Sequence, residues 1–134
     1  MKTVTEYMGK KKFRTIIRGH EVVTDVPEKT GGEDTAPTPV EIFIASLGSC
    51  AGVFASWYLE TAKINVEKMF IDVDWDYASD PRRVGRADIT VRLPGVELAE
   101  RERGLIAAVK KCTVHNTLEN PPEVSIKIAV DQPE

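Results

Sequence analysis

Two cysteines, Cys50 and Cys112, are the only thiols in this chain of 134 residues. Cys50 lies inside the uncharged run IFIASLGSCAGVFASWYL and Cys112 inside VKKCTVHN, each beside small or short polar neighbours and neither within a cluster of ligand-type residues. Two readings stand side by side. Free cysteines pack as small hydrophobes in many intracellular cores; alternatively, one sulfur attacks a substrate and the other resolves the product. The second reading needs a thiolate. An unperturbed thiol titrates near about 8.5 and apolar burial raises that further, so attack at neutral pH calls for a neighbouring cation or hydrogen-bond donors. Arginine suits the task, since it stays charged and presents a fixed fork of donors to a thiolate and a departing oxygen.

His115 follows Cys112 at a spacing that one helical turn can bring to one face. Only His20 and Cys50 remain to complete a four-ligand set, and Cys50 sits in an apolar run, so His115 reads as a surface or helix-end histidine and no structural zinc is expected. Asp72, Asp74 and Asp76 alternate along one strand and read as its solvated face, because a hard-cation site needs oxygen ligands from more directions. Trp57, Tyr58 and Trp75 read as core and interface packing.

The composition frames these residues. With 18 Lys+Arg against 21 Asp+Glu, 42% hydrophobic and 29% charged residues, the chain describes one ordinary globular domain, 1–134, and excludes collagen, disordered tails and disulfide-dense scaffolds. The formal charge of -3 gives no global reason to bind a polyanion, so no nucleic-acid partner is expected; the basic run Lys10, Lys11, Lys12 and Arg14 reads as a solvated hairpin turn after Gly9. The segment MKTVTEYMGKKKF has no apolar signal region, which makes a cytoplasmic location the default expectation. Ile42 to Leu59 carries no charge, yet it is diluted by Ser46, Gly48, Ser49, Gly52 and Ser56 and lacks a basic flank, so it reads as a buried central helix rather than a membrane span.

The elements that must position the thiols follow from pattern. Thr3 to Met8, Lys12 to Arg18 and Glu21 to Val26 are β-branched or alternating runs broken by Gly9 and Gly19, hence an antiparallel strand set. Pro27 to Pro39 has the composition of a crossing loop. Thr38-Pro39-Val40-Glu41 reads as a helix start with Thr38 as N-cap and Glu41 closing a capping box, and the helix should run to about Lys63. Gly48 and Gly52 thin its surface, predicting close approach of another helix, from this chain or a second subunit. Val66 to Tyr77 and Gly85 to Leu93 alternate as half-buried strands, and Glu97 to Lys111 is an amphipathic helix with Leu98, Leu105, Ile106 and Val109 inward. A short turn of helix near Val114 to Leu118, the break Asn120-Pro121-Pro122 and a last strand Glu123 to Val130 complete an α+β chain without internal repeats.

TPVEIFIASLGSCAG resembles the central helix of the OsmC/Ohr family, and VKKCTVHNTLENPPEV resembles its second cysteine region; the likeness extends from about Lys12 to Val130. The resemblance implies an α+β, OsmC-like fold with antiparallel sheets around two central helices, an intertwined homodimer and an active site at each subunit interface. It implies a thiol peroxidase without metal or organic cofactor: Cys50 reduces hydrogen peroxide or an organic hydroperoxide, Cys112 resolves the sulfenic acid as a disulfide, and a dithiol of the dihydrolipoyl or thioredoxin type restores both. It also implies an arginine from the N-terminal sheet, for which FRTIIR offers Arg14 and Arg18, Arg14 being preferred by its position in the hairpin. In active members a glutamate directly follows the helix-starting proline and pairs with that arginine. Here that position is Val40, with Glu41 one residue later, where an ideal helix turns it nearly opposite Cys50; Glu41 is therefore read as a capping residue before an orienter of the arginine. Thr113 likewise follows Cys112 where many relatives carry proline. The competing reading is a non-catalytic dimer that binds a small apolar or thiol-reactive ligand between subunits.

Overall fold

The computed structural model describes residues 1–130. Three strands, β1 (Val4–Gly9), β2 (Lys12–Ile17) and β3 (His20–Thr24), form an antiparallel sheet in chain order. Arg18 and Gly19 connect β2 to β3 with φ of 51° and 84°, the left-handed pair that a two-residue hairpin turn requires. A loop with one 3-10 turn at Glu28–Thr30 leads to the long helix α1 (Pro39–Thr61). Then come β4 (Phe70–Ala78) and β5 (Arg83–Arg92), paired as a second antiparallel sheet, a 3-10 turn at Ala99–Arg101, and two short helices, α2 (Glu102–Val109) and α3 (Thr113–Glu119).

The start of α1 forms as its sequence dictates. Thr38 Oγ1 accepts the Glu41 backbone N–H at 3.2 Å and the Glu41 carboxylate accepts the Thr38 N–H at 2.7 Å, while Pro39 occupies the first turn, where its missing donor costs nothing. From there Ile44, Leu47, Ala51, Ala55 and Leu59 form one buried stripe at helical spacing, and Leu105 of α2 completes the core beside Ala55 and Leu59. The helix is long and apolar enough by composition to cross a membrane, but this stripe lies against the molecule's own sheet and helices.

Gly48 and Gly52 face a strand, not a helix. A Cβ at Gly48 would meet Val73 Cγ2 at 3.1 Å and one at Gly52 would meet Ile71 Cγ1 at 3.3 Å, so the small residues admit the β-branched side chains of β4. The apolar face of the second sheet pairs Ile71 with Val91, Val73 with Ile89 and Trp75 with Ala87; its outer face carries Asp72 bound to Arg92 and Asp76 bound to Arg86.

Three further expectations change. The second amphipathic helix is shorter than Glu97 to Lys111: it begins after the 3-10 turn and stops at Val109, where the Cys112 N–H closes a tight i to i+3 bond to the Val109 carbonyl and turns the chain into α3. Ile106, assigned to the inner side, is half exposed along a groove between α2 and β5. Glu123 to Val130 forms no strand: Val124, Ile126, Ile128 and Val130 are 77%, 89%, 90% and 88% exposed, because the segment meets no sheet edge among the described residues of its own chain. The first sheet is equally isolated, its extensive contacts being internal while α1 packs on β4, β5, α2 and α3.

Candidate thiol site

Packing of α3 against α1 brings the two cysteines together. Cys50 sits partly exposed in mid-helix, on the flank next to the buried stripe; Cys112 is fully buried as the N-cap of α3. The cap is made by sulfur: Cys112 Sγ accepts the His115 backbone N–H at 3.4 Å, doing what a serine or aspartate oxygen does at other helix starts. The backbone N–H of Thr113 acts on Cys50, and that of Val114 on both sulfurs.

These donors set the acidity of the pair. Burial works to raise the Cys50 thiol, but the hydrogen bond from Cys112 and the backbone N–H groups of Val114 and Thr113 together outweigh it and hold the thiol below its ordinary value. Cys112 goes the other way: burial, then the hydrogen bond it gives to Cys50, push it up, against the opposing pull of the His115 N–H. The arrangement therefore favours a thiolate on Cys50 over one on Cys112.

The remaining candidates lie elsewhere in the chain. Arg14 is mid-strand in β2, where its guanidinium binds Glu6 of β1 at 2.6 Å and reaches Glu21 of β3 at 3.8 Å; its Nε is enclosed without a hydrogen-bond partner among the described residues. Arg18 occupies the exposed β2–β3 turn. Glu41 is consumed in the capping box, and His115 Nε2 meets Glu119 at 3.1 Å one turn on. Among the described residues no group of His, Cys, Asp and Glu side chains is arranged to hold a metal ion.

Sequence reasoning missed three features of this neighbourhood. The glutamates flanking Arg14 follow from cross-strand register, with Glu6 directly opposite Arg14, and register is not visible before the hairpins are aligned. The α3 amides aimed at Cys50 depend on tertiary packing. Asp25, a single carboxylate at the end of β3, is fully buried and accepts the backbone N–H of Thr35 at 3.0 Å, the Thr35 hydroxyl at 2.8 Å and the Val26 N–H at 2.8 Å, clipping shut the loop that delivers the chain to Thr38. Its signal was the loop's own length: a long crossing segment rich in Gly and Thr needs an internal acceptor for its backbone donors.

The family model for OsmC-like protein matches residues 31–127, which include both cysteines, the capped helix and the second sheet. The chain belongs to the OsmC-like family. Solved OsmC-like structures share its fold at low identity. A proposed osmotic stress induced and detoxification response protein from Psychrobacter arcticus 273-4 is 21% identical, with a TM-score of 0.78 over 86% of this chain and 85% of that one. An OsmC-like protein from Mycoplasma pneumoniae is 16% identical, with a TM-score of 0.74 over 90% and 87%. An organic hydroperoxide resistance protein from Elizabethkingia anophelis is 17% identical, with a TM-score of 0.68 over 89% and 87%. No curated protein sequence matches the chain significantly.

Proposed function

We propose that this OsmC-like chain is a cysteine-based peroxidase acting on organic hydroperoxides or hydrogen peroxide. The observation that carries the reading is the unequal pair brought together by α1 and α3: a partly exposed Cys50 held below its ordinary thiol range by Cys112 and the α3 amides, with Cys112 fully buried beside it and pushed up by that burial. The Cys50 thiolate attacks one peroxide oxygen, the O–O bond breaks, and the leaving oxygen departs with a proton as alcohol or water, leaving a sulfenic acid on Cys50. The Cys112 sulfur then attacks the Cys50 sulfur, the S–O bond breaks and water leaves as the disulfide forms. A dithiol of the dihydrolipoyl or thioredoxin type returns two electrons and two protons.

A homodimer belongs to the same reading. The isolated first sheet, the half-exposed Trp57 and Val53 on α1 and the stretched C-terminal segment all favour a second copy, which would also bring Arg14, with its enclosed Nε, to a Cys50 that its own chain does not offer. Family relatives named for hydroperoxide resistance and for stress response support a role in oxidative stress.

Treating the reduced protein with one equivalent of cumene hydroperoxide and taking the intact mass tests the proposal. The mass should fall by two hydrogens, faster than free cysteine is oxidised, and Cys112→Ser should stop at the sulfenic acid. A parent no faster than free cysteine, or a Cys50→Ser variant that reacts like the parent, leaves the non-catalytic ligand-binding dimer as the better account.

A further inference from the structure

We propose that Tyr58 and Arg101 are positioning residues for the disulfide step of the reading above: they clasp the start of α2 to the end of α1 and so deliver Cys112 at the level of Cys50. Their role rests on that step and is independent of the oxidant that drives it. Arg101 lies in the 3-10 turn that leads into α2, and its Nη1 donates to the carbonyl of Ala62, the C-cap of α1, at 2.6 Å. Unpaired carbonyls and the negative pole of the helix favour a cation there. The return bond is neutral, with the Tyr58 hydroxyl of the last α1 turn donating to the Arg101 carbonyl at 3.1 Å. One residue is thus held from both its side chain and its backbone where the chain enters α2.

Gly104 sets how closely the two helices meet. An added Cβ there would stand 2.2 Å from the Tyr58 hydroxyl oxygen, 2.7 Å from its Cζ and 2.9 Å from its Cε2, so only glycine lets the first turn of α2 lie on the phenol ring. Glycine is among the least favourable helix residues, and the phenol accounts for its presence here. Tyr58 in turn packs on the buried cluster of Ala55, Leu59 and Leu105, which leaves the ring little room to move.

The clasp and the thiols stand in matched register. Cys50 lies eight residues before Tyr58, and Cys112 eight residues after Gly104. Because α2 begins beside the last turn of α1 and the chain then returns along α1, both cysteines are carried back toward one level, about 12 Å from the clasp on α1 by helical rise. The return has no slack. The N–H groups of Lys110, Lys111 and Cys112 bond the carbonyls of Ile106, Ala108 and Val109, each at 3.0 Å, so a displacement of α2 is passed on to the Cys112 sulfur. Sliding by one residue's rise, about 1.5 Å, exceeds the range of about 1 Å in Cβ separation that a disulfide accepts.

Linkage makes the role measurable without peroxide. A residue that holds the thiols together in the reduced chain favours the disulfide, and the disulfide, once formed, does that holding itself. The full-length protein is equilibrated in glutathione redox buffers, where glutathione disulfide accepts the two electrons and two protons that leave Cys50 and Cys112 as their S–S bond forms, and the oxidised fraction is read by alkylation and intact mass. Tyr58→Phe, which deletes only the hydroxyl, should lower the equilibrium constant for the internal disulfide about threefold, and Arg101→Ala about fivefold, with Arg101→Lys recovering part of the loss. Gly104→Ala should lower it about tenfold, or about 30 mV for a two-electron couple. In urea unfolding each substitution should cost the reduced protein more than the oxidised one, by the same factor. Equal costs in both states with an unchanged redox equilibrium would make the clasp a mere stabiliser of the fold and overturn the inference; should Gly104→Ala fail to fold, Tyr58→Phe and Arg101→Ala decide it. A parent that forms no internal disulfide at any glutathione ratio overturns it outright. A parent that forms the disulfide, loses it as expected in the variants and yet does not consume cumene hydroperoxide removes the peroxidase reading and leaves the clasp standing.

Discussion

Cys112 stands against Cys50 across the α1–α3 contact, and the two thiols are pushed in opposite directions: burial, then the interaction with Cys50, raises Cys112, while Cys112 and the Val114 and Thr113 N–H groups hold Cys50 down against burial. A donor beside a sulfur favours its thiolate, while the donating thiol must keep its proton to serve. The rate of Cys50 alkylation by iodoacetamide should therefore rise through a midpoint below that of an ordinary thiol. Cys112→Ala removes the donor and should move the midpoint to higher pH, slowing alkylation several-fold at neutral pH. Cys112→Ser keeps an O–H donor and should move it less. Equal shifts for the two variants would mean that the cavity, not the hydrogen bond, controls the thiol.

Asp25 should govern the acid side of the stability profile. Its carboxyl is held well below the usual carboxylate range, chiefly by the Thr35 N–H, with burial opposing and the Thr35 hydroxyl and the Val26 and Glu33 N–H groups assisting. Between the folded and unfolded values the unfolded chain binds more protons, so stability rises with pH there. The contribution is complete above the unfolded value near about 3.9 and is lost as pH falls toward the folded one. Asp25→Asn should lower the urea midpoint at pH 7 and flatten its fall below about pH 4, the unfolded carboxylate range. An unchanged slope in acid would show that other carboxylates carry that limb.

Helix capping and thiol chemistry should separate at Thr38 and Glu41. Thr38→Ala deletes the acceptor for the Glu41 N–H and should cost about 1 kcal/mol in urea unfolding. Glu41→Ala deletes the reciprocal half of the box and should cost somewhat less. Neither should alter the pH dependence of Cys50 alkylation. A Glu41→Ala variant whose Cys50 midpoint moves would restore Glu41 as a residue of the thiol site.

Local chemistry explains which elements were legible. Thr38-Pro39-Val40-Glu41 announces a capped helix because all its partners lie within one turn, and the alternation of Ile71, Val73 and Trp75 announces a half-buried strand. Glu123 to Val130 carries an equally clear strand pattern yet finds no edge among the described residues of its own chain, since periodicity reports what a segment can pair and not where the partner is. The same limit applied to the site. The sequence marks both cysteines, but their shared hydrogen bond, the amides of Thr113 and Val114 and the glutamates on Arg14 come from register and packing across distant elements. Gly48 and Gly52 signalled a close approach correctly and its partner wrongly, because a missing Cβ admits a strand's side chains as readily as a helix.

That close approach gives a test with opposing terms. Replacing a mid-helix glycine by alanine gains about 1 kcal/mol of helix propensity. At Gly48 the new Cβ would stand 3.1 Å from Val73 Cγ2, and a β-branched side chain fixed at χ1 in a strand has little freedom to withdraw. Overpacking of this kind costs about 1–3 kcal/mol, so Gly48→Ala should lose about 1 kcal/mol net, a fall of a few degrees in Tm for a chain this long. Val73→Ala removes the obstructing methyl, and in that background Gly48→Ala should become stabilising by about the propensity gain. Gly52→Ala should be milder than Gly48→Ala, since its neighbour, Ile71 Cγ1, starts farther from the new Cβ, at 3.3 Å. A Gly48→Ala penalty that persists undiminished beside Val73→Ala would place the conflict elsewhere than on β4.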